Sequence, residues 1–442
     1  MTLSALRHLL PVPFSLALVS CQSPSTFSRM EPLEMPADYS GKMVPELDIK
    51  DSLLELFDDD DLEQIVERAL NNNPELQRSR ARMEELGFNL VQSKASYFPG
   101  ITANGNGTRQ KRTEMGTANL FSATLDTRWE VDVWGRIRSG VSAAEADRAA
   151  ASATYEAARQ SLVAQSMQAW FQRIAAERSL ELDLQRVASF TTTEKRVQRR
   201  FELGQASLAE VDLARTDLEN AAADIESSTD RRDQAARQLR VLTGDYPDAG
   251  LPAGSWPALE RGVPAGLPSD LLRRRPDLIA AYENVVAADA RTHVAHADLF
   301  PSLTLTGSLG RESESLSDLL KSGFDIWSLA GNLSAPVFEA GQRRAEVRAA
   351  GKRAEQAFRN YQTTLITALR EVEDALGSET YLAREEATRL RALAAARSAA
   401  DRASRDYDAG VSSLLSLLET QRRVFTTEQQ IINIKAARLN NR

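Results

Sequence analysis

The amino-acid sequence predicts an α+β membrane protein in which three copies of the chain close one β-barrel of about twelve strands, four strands from each chain. Three observations carry this prediction: the chain is an internal two-fold repeat, each half contains segments that alternate polar and apolar residues, and each half contains long segments without proline. Four strands alone cannot close a barrel, and open strand edges are not tolerated in lipid. The strands of one chain therefore require further copies.

The internal repeat is visible in four pairs of landmarks. Their spacing drifts by only four residues along the whole chain, which chance rarely produces. A repeat of this length is a duplicated half-domain, because solenoid units have periods of about 20–50 residues. The spacings are 202, 202, 204 and 206 for Pro74 with Pro276, Pro99 with Pro301, Trp134 with Phe338, and Gly204 with Gly410.

Alternation of polar and apolar residues predicts two strands in each repeat. After Pro99 the period of the apolar residues changes from about 3.6 to 2. In the first repeat Leu125 and Trp129 alternate with polar residues such as Asp126 and Glu130. We therefore predict one β-hairpin at about 98–134 and a second at about 300–338. Strands of this kind present an apolar face to lipid and a polar face to an aqueous lumen.

Long helices follow each hairpin. The segments Ile137–Leu203 and Arg343–Ala409 lack proline and are rich in Ala, Arg, Glu and Gln, which are strong helix formers. Shorter helices, Ala206–Leu242 and Ser412–Asn441, follow the breaks at Gly204 and Gly410. Helices of this length need close neighbours. We expect them to form a second cylinder that continues the barrel.

The N-terminus predicts export and lipidation. Residues 1–20 contain Arg7 and an apolar stretch that is too short to span a membrane, which is typical of a signal peptide. The sequence Leu18-Val19-Ser20-Cys21 resembles a lipoprotein cleavage site, and Cys21 is the single cysteine. Gln22 replaces the Asp that favours inner-membrane retention, so we expect the outer membrane. A buried thiol beside an ordinary signal cleavage site is the alternative.

The predicted organisation after the signal peptide is a tail followed by two repeats. A linker with five glycines and five prolines separates the repeats. We predict an N-terminal periplasmic tail at 21–61, a first repeat at 62–243, the linker at 244–268 and a second repeat at 269–442.

Composition and the inventory of reactive side chains argue against other classes of protein. The net charge of −8 argues against a nucleic-acid partner. We expect no enzyme activity and no cofactor, because no nucleophile–base pair and no phosphate loop is recognisable. His293 and His296 have a spacing that can bind a metal, but no third ligand is apparent, and we predict no metal site. A helical protein with incidental hairpins remains an alternative.

Several motifs carry a resemblance to a known family: Cys21, Leu272-Arg273-Arg274-Arg275-Pro276-Asp277-Leu278, Ala297-Asp298-Leu299-Phe300-Pro301-Ser302-Leu303, Pro336-Val337-Phe338 with Gly341, Gly410-Val411-Ser412-Ser413-Leu414 and Glu419-Thr420-Gln421-Arg422. With these motifs the chain resembles the TolC-type outer-membrane factors, in the lipoprotein branch that serves resistance-nodulation-division efflux pumps. The resemblance implies a trimeric 12-stranded outer-membrane β-barrel, continued by a long periplasmic α-helical barrel that is constricted at its far tip. Family members usually carry a Leu-Gly-Gly-Gly-Trp-like tail, whereas this chain ends at Asn440-Asn441-Arg442, so an incomplete equatorial belt or a shortened chain is expected.

The resemblance also implies sites and partners. It implies a homotrimer in outer-membrane lipid that works with a periplasmic adaptor (membrane fusion) protein and an inner-membrane pump of the resistance-nodulation-division type. The outer-membrane component of a type I protein secretion system is the alternative, and a periplasmic helical adaptor or scaffold is a further one. The exported compound cannot be read from the residues. The expected gate is Leu415, Glu419 and Arg422 with Asp212, the expected adaptor-contact tips are Gly204, Ser207, Gly410 and Ser413, and the expected membrane-interface aromatics are Trp129, Trp134, Trp327 and Phe338.

Overall fold

The structure is a computed structural model that describes residues 39, 57, 59–112, 116–251, 254–258, 270–321 and 323–442. The predicted signal peptide, the lipidation site Cys21 and most of the tail at 21–61 lie outside the described residues. Contacts divide the described chain into two units. The first contains Pro99–Ser139 and Asp289–Glu355, and the second contains Gly140–Ala288, Gln356–Arg442 and the described residues before Pro99.

Eight α-helices occur among the described residues, and their limits follow local sequence signals. The Asn73 side chain caps the second helix, and Pro74 stands at its first turn, where the missing N–H is harmless. None of the described helices is both long enough and apolar enough to cross a membrane. The helices are α1 (Asp60–Asn72), α2 (Pro74–Ala95), α3 (Arg136–Glu202), α4 (Leu208–Leu242), α5 (Leu271–Arg274), α6 (Pro276–Ala297), α7 (Gln342–Asp408) and α8 (Leu414–Asn441).

The first unit contains a four-stranded antiparallel sheet in the order β1-β2-β3-β4. Each repeat therefore supplies one hairpin, and the two hairpins pair through β2 and β3. A short 3-10 helix, Leu316–Asp318, lies in the second hairpin connection. The strands are β1 (Gly100–Arg112), β2 (Gly116–Val131), β3 (Ser302–Ser313) and β4 (Asp325–Ser334).

The two faces of the sheet differ in polarity. The register places odd-numbered residues opposite odd-numbered residues in all three strand pairs, so each parity forms one face. Large apolar side chains on the odd face are exposed in the single chain, among them Ile101, Leu125, Leu309, Trp327 and Leu333. The even face carries Asn104, Asn106, Thr124, Asp126, Thr306, Ser308 and Asn332.

The strand register relates the repeats differently from the sequence landmarks. Gly100 lies opposite Arg128, whereas its repeat counterpart Ser302 lies opposite Ser334. The second strands are therefore related by 206 residues, and the starts of α3 and α7 differ by the same number. The sequence match of Trp134 with Phe338 at a spacing of 204 is wrong as a structural equivalence, because two extra residues separate Phe338 from Gly341.

Candidate functional site

Two helix turns lie in the second unit, at the breaks that the sequence predicted. Gly204 and Gly410 have φ angles of 72° and 73°, the left-handed conformation that ends a helix at low cost when no Cβ is present. Ser207 caps α4 and forms a capping box with Glu210. Ser413 caps α8 by accepting a hydrogen bond from the backbone N–H of Ser416. The four predicted tip residues therefore occupy the two turns.

The two turns are packed against each other. The guanidinium of Arg200 lies 4.6 Å from the ring centroid of Tyr407 and also donates a hydrogen bond to the Tyr407 backbone carbonyl. Arg196 adds a 3.2 Å ion pair with Asp408. Side chains of α3, α4, α7 and α8 form a buried apolar cluster near the turns. It consists of Phe190, Val197, Val211, Ala214, Ala221, Tyr407, Leu414, Leu417 and Leu418.

An ion pair joins α4 to α8 beside this cluster. Nη2 of Arg422 lies 2.6 Å and 2.7 Å from the two carboxylate oxygens of Asp217, which is buried. In the single chain Arg422 pairs with Asp217 and not with the expected Asp212, which is exposed on α4. Five residues turn a helix by about 140°, so Asp212 and Asp217 cannot share a face.

Asp217 is the functional candidate that the sequence analysis missed, although a signal for it exists. Val211, Ala214 and Ala221 form the buried stripe of α4, and Asp217 interrupts that stripe. A carboxylate within an apolar stripe requires a partner, because an unpaired buried charge is costly. Arg422 supplies it.

The other predicted gate residues are exposed in the single chain. Leu415 is 59% exposed, whereas Leu414, Leu417 and Leu418 are buried in the cluster. Glu419 pairs with Arg423 at 3.3 Å, four residues along the helix, and not with Arg422. Leu415 and Glu419 therefore share a free face of α8, and Arg422 points to α4.

A cleft lined by both charged and apolar side chains lies at the Arg422–Asp217 pair. It has a volume of about 570 Å³ and is lined by residues of α3, α4 and α8, including Asp183, Arg186 and Asp224. Arg186 of α3 pairs with Asp183 on its own helix at 3.1 Å and with Asp224 of α4. Ion pairs at this cleft therefore join α3 to α4 as well as α4 to α8.

The predicted interface aromatics lie in the first unit. The indole N–H of Trp134 donates a 2.7 Å hydrogen bond to the carbonyl of Pro301, and its ring stacks on Phe300 with centroids 4.9 Å apart. Trp129 is half-buried on the odd face of β2. Trp327 and Phe338 are strongly exposed. Trp134 thus fastens the end of β2 to the start of β3.

The described residues contain no group of three or more His, Cys, Asp or Glu side chains that could hold a metal ion. His293 lies 3.7 Å from Asp289, one turn away on α6, and His296 packs edge-on against Phe300. These two histidines therefore have ordinary packing contacts.

Known proteins resemble this chain over almost its whole length. The profile of the family described as "Outer membrane efflux protein" matches residues 65–245 and 267–442. Outer membrane protein OprJ of Pseudomonas aeruginosa is 32% identical over 410 residues, which is 90% of this chain and 84% of OprJ. Cation efflux system protein CusC of Escherichia coli is 27% identical over 446 residues, 98% of this chain and 96% of CusC.

A solved structure has the same fold as this chain. The Campylobacter jejuni CmeC outer membrane channel superposes with a TM-score of 0.86 at 27% identity, covering 93% of this chain and 92% of that one. The solved relatives are trimeric channels with a β-barrel and a long helical barrel, which confirms the predicted fold class. The relatives are outer-membrane components of efflux pumps, which confirms the predicted function and location. The chain belongs to the outer membrane efflux protein family and is an outer-membrane efflux channel.

Proposed function

We propose that three copies of the chain form the gated outer-membrane channel of a tripartite efflux system. The channel conducts substrates passively to the exterior, and a periplasmic adaptor and an inner-membrane pump of the resistance-nodulation-division type drive transport. The observation that carries the gate is the ion pair between Arg422 of α8 and buried Asp217 of α4. It joins the two shorter helices just beyond the turns, where separation of α4 from α8 opens the pore.

The free face of α8 supplies the pore lining in this proposal. Leu415 and Glu419 lie four residues apart, so they stand one above the other on that face. In the trimer they form an apolar ring and a carboxylate ring. A carboxylate ring attracts cations, so we expect a preference for potassium over chloride and block by multivalent cations.

The turns are the proposed surface for the adaptor. Gly204, Ser207, Gly410 and Ser413 bring two turns of similar shape together in one chain. Three chains present six such turns, a quasi-six-fold ring suited to helical hairpins. The proposed lipid anchor on Cys21 holds the chain at the membrane, and Trp129, Trp134, Trp327 and Phe338 are the proposed interface aromatics.

Single-channel conductance tests the gate. Arg422→Ala leaves Asp217 unpaired and releases α8 from α4, so we expect a larger conductance in planar bilayers. Arg389→Ala is the matched control, since Arg389 pairs with Glu385 on its own helix α7 and neither residue belongs to the proposed gate. Equal conductance of wild-type, Arg422→Ala and Asp217→Asn channels contradicts the gate.

Gene deletion tests the pump assignment. We expect greater sensitivity to toxic small molecules or metal ions in the deletion strain. An unchanged sensitivity profile together with loss of a secreted protein from the medium assigns the channel to type I secretion instead.

A further inference from the structure

The described sheet has two free edges. β1 pairs only with β2, and β4 pairs only with β3. Each edge presents backbone N–H and C=O groups that lipid cannot satisfy. A second copy of the chain offers the complementary edge, because β4 of one copy and β1 of the next continue the antiparallel alternation. Because the chain is an internal repeat, the register of the β4–β1 contact between copies can be inferred from the β2–β3 contact within one chain.

The contact between β2 and β3 is the template. It joins the second strand of the first repeat to the first strand of the second repeat. In the trimer, the second strand of the second repeat (β4) meets the first strand of the first repeat (β1) of another copy. First strands are related by 202 residues and second strands by 206. For each β2–β3 pair, adding 206 to the number of the β2 residue gives its counterpart on β4. Subtracting 202 from the number of the β3 residue gives its counterpart on β1, so every β2–β3 pair predicts one β4–β1 pair.

A polar rung, meaning a row of hydrogen-bonded side chains that crosses neighbouring strands, lies on the even face and follows the same spacings. The Asp126 carboxylate on β2 accepts a 2.6 Å hydrogen bond from Asn104 on β1 and a 2.5 Å hydrogen bond from Ser308 on β3. The repeat counterpart of Asp126 is Asn332 on β4. Asn332 donates a 3.4 Å hydrogen bond to Thr306, which is the counterpart of Asn104. Half of the rung is therefore repeated within the second hairpin.

The other half of the rung is the contact between Asp126 and Ser308, and its counterpart requires a second copy of the chain. The counterpart of Ser308 is Asn106, which lies on β1 at the free edge of the sheet. We infer that Asn332 of one chain lies opposite Asn106 of a second copy, and that their side-chain amides hydrogen-bond across the boundary between chains. The same register places Ser334 opposite Asn104 and Ala330 opposite Thr108.

The odd face agrees with this register. It brings Leu333 opposite Gly105 and Gly331 opposite Gly107, so no large side chains collide on the apolar face. A Cβ at Gly105 would meet no atom within 4 Å in the single chain. A slip by one residue would turn Leu333 to the polar face, which the alternation of the strands forbids. The rung between chains is uncharged, whereas the rung within a chain is a carboxylate.

Pairs of cysteines test the register, and the test rests on the trimeric channel proposed above. Asn332→Cys combined with Asn106→Cys should form covalent dimers and trimers on oxidation, read by non-reducing electrophoresis after heating in detergent. Asn332→Cys combined with Asn104→Cys or Thr108→Cys should cross-link at least about fivefold less. Directly opposite residues have Cβ atoms about 5 Å apart, whereas diagonal neighbours are about 7–8 Å apart, with a somewhat shorter distance between their Cβ atoms.

Three controls accompany this comparison. Asp126→Cys with Ser308→Cys is the matched pair within one chain, and it should oxidise without forming larger species. Single-cysteine variants report any contribution of Cys21. Leu333→Cys with Gly105→Cys tests the same register on the opposite face, should the polar-face variants fail to assemble.

The outcomes separate the register from the channel function. Strongest cross-linking to position 104 overturns the inference in favour of the 204-residue spacing of the sequence match. Absence of cross-links between chains in variants that still conduct in bilayers also overturns it, and leaves the proposed function intact. If the wild-type protein forms no conducting channel in bilayers, that result counts against the proposed function and not against the register.

Discussion

A partly buried ion cluster fastens the end of α8 to α7. Arg438 donates hydrogen bonds of 2.5 Å to Glu386 and 2.9 Å to Glu379, and Arg442 donates one of 2.9 Å to Glu379. The side chains of Arg438, Glu386 and Glu379 are 15%, 12% and 23% exposed. Burial alone would raise the pKa of Glu379, but hydrogen bonds from Arg442 and Arg438 outweigh it and leave the pKa below its usual value.

Arg438→Met should therefore lower the free energy of unfolding by about 3 kcal/mol. Removing one partner of a buried ion pair costs about 3–5 kcal/mol, because the remaining charge loses its partner away from water. The residual exposure of this cluster places it at the lower end. Arg370→Met is the control on α7: Arg370 pairs with Asp374 at 2.9 Å, but the two side chains are 65% and 63% exposed. Its loss should cost less than about 0.5 kcal/mol.

Chemical denaturation followed by circular dichroism measures both changes. The double variant Arg438→Met with Glu386→Gln should be more stable than Arg438→Met, because it leaves one unpaired carboxylate fewer. Equal destabilisation by Arg438→Met and Arg370→Met would refute the reasoning, since burial would then make no difference.

The pH dependence of the same cluster has a definite sign. The pKa of Glu379 in the folded protein lies below its usual 4.5. Its contribution to stability is therefore present above about pH 4.5 and is lost as the pH falls through the folded pKa. Glu379→Gln should flatten the acid limb of a stability-versus-pH curve and leave the region above pH 5 without slope from this group.

Two further predictions concern packing. Leu417 is 0% exposed, so Leu417→Ala should lower the free energy of unfolding by about 3 kcal/mol. Leu415 is 59% exposed, so Leu415→Ala should lower it by less than about 1 kcal/mol. Thermal denaturation compares the two variants. In the sheet, Gly310→Ala should abolish the trimer on native electrophoresis of unheated samples, because its Cβ would lie 2.2 Å from the carbonyl oxygen of Ala123. Gly105→Ala meets no atom within 4 Å and should assemble normally; the reverse order would contradict the β2–β3 register.

The secondary structure was largely predictable because its signals are local. Pro74 and Pro276 stand at helix starts, and the glycines at 204 and 410 end α3 and α7. The change of period after Pro99 predicted strands where β1 and β2 occur. Each of these signals acts within a few residues of the chain, so the sequence carries it without help from tertiary contacts.

Partnerships between distant residues were less predictable. The sequence suggested Asp212 for Arg422, and the structure pairs Arg422 with Asp217. Choosing between two carboxylates on one helix requires the rotation of α4 relative to α8, which depends on how the apolar stripes pack. The match of Trp134 with Phe338 failed for a related reason: similar letters do not reveal which residues the strand register brings into equivalent positions.

The sequence by itself determined the repeat, the order of helices and strands, the two faces of the sheet and the family resemblance. These follow from periodicity, helix-ending residues and motifs, all of which are properties of neighbouring residues. Only the tertiary structure decided the 206-residue relation between β2 and β4 and the ion pairs at Asp217 and Glu379. Register and ion pairing depend on the packing of segments far apart in the chain, where a shift of one or two residues changes every contact.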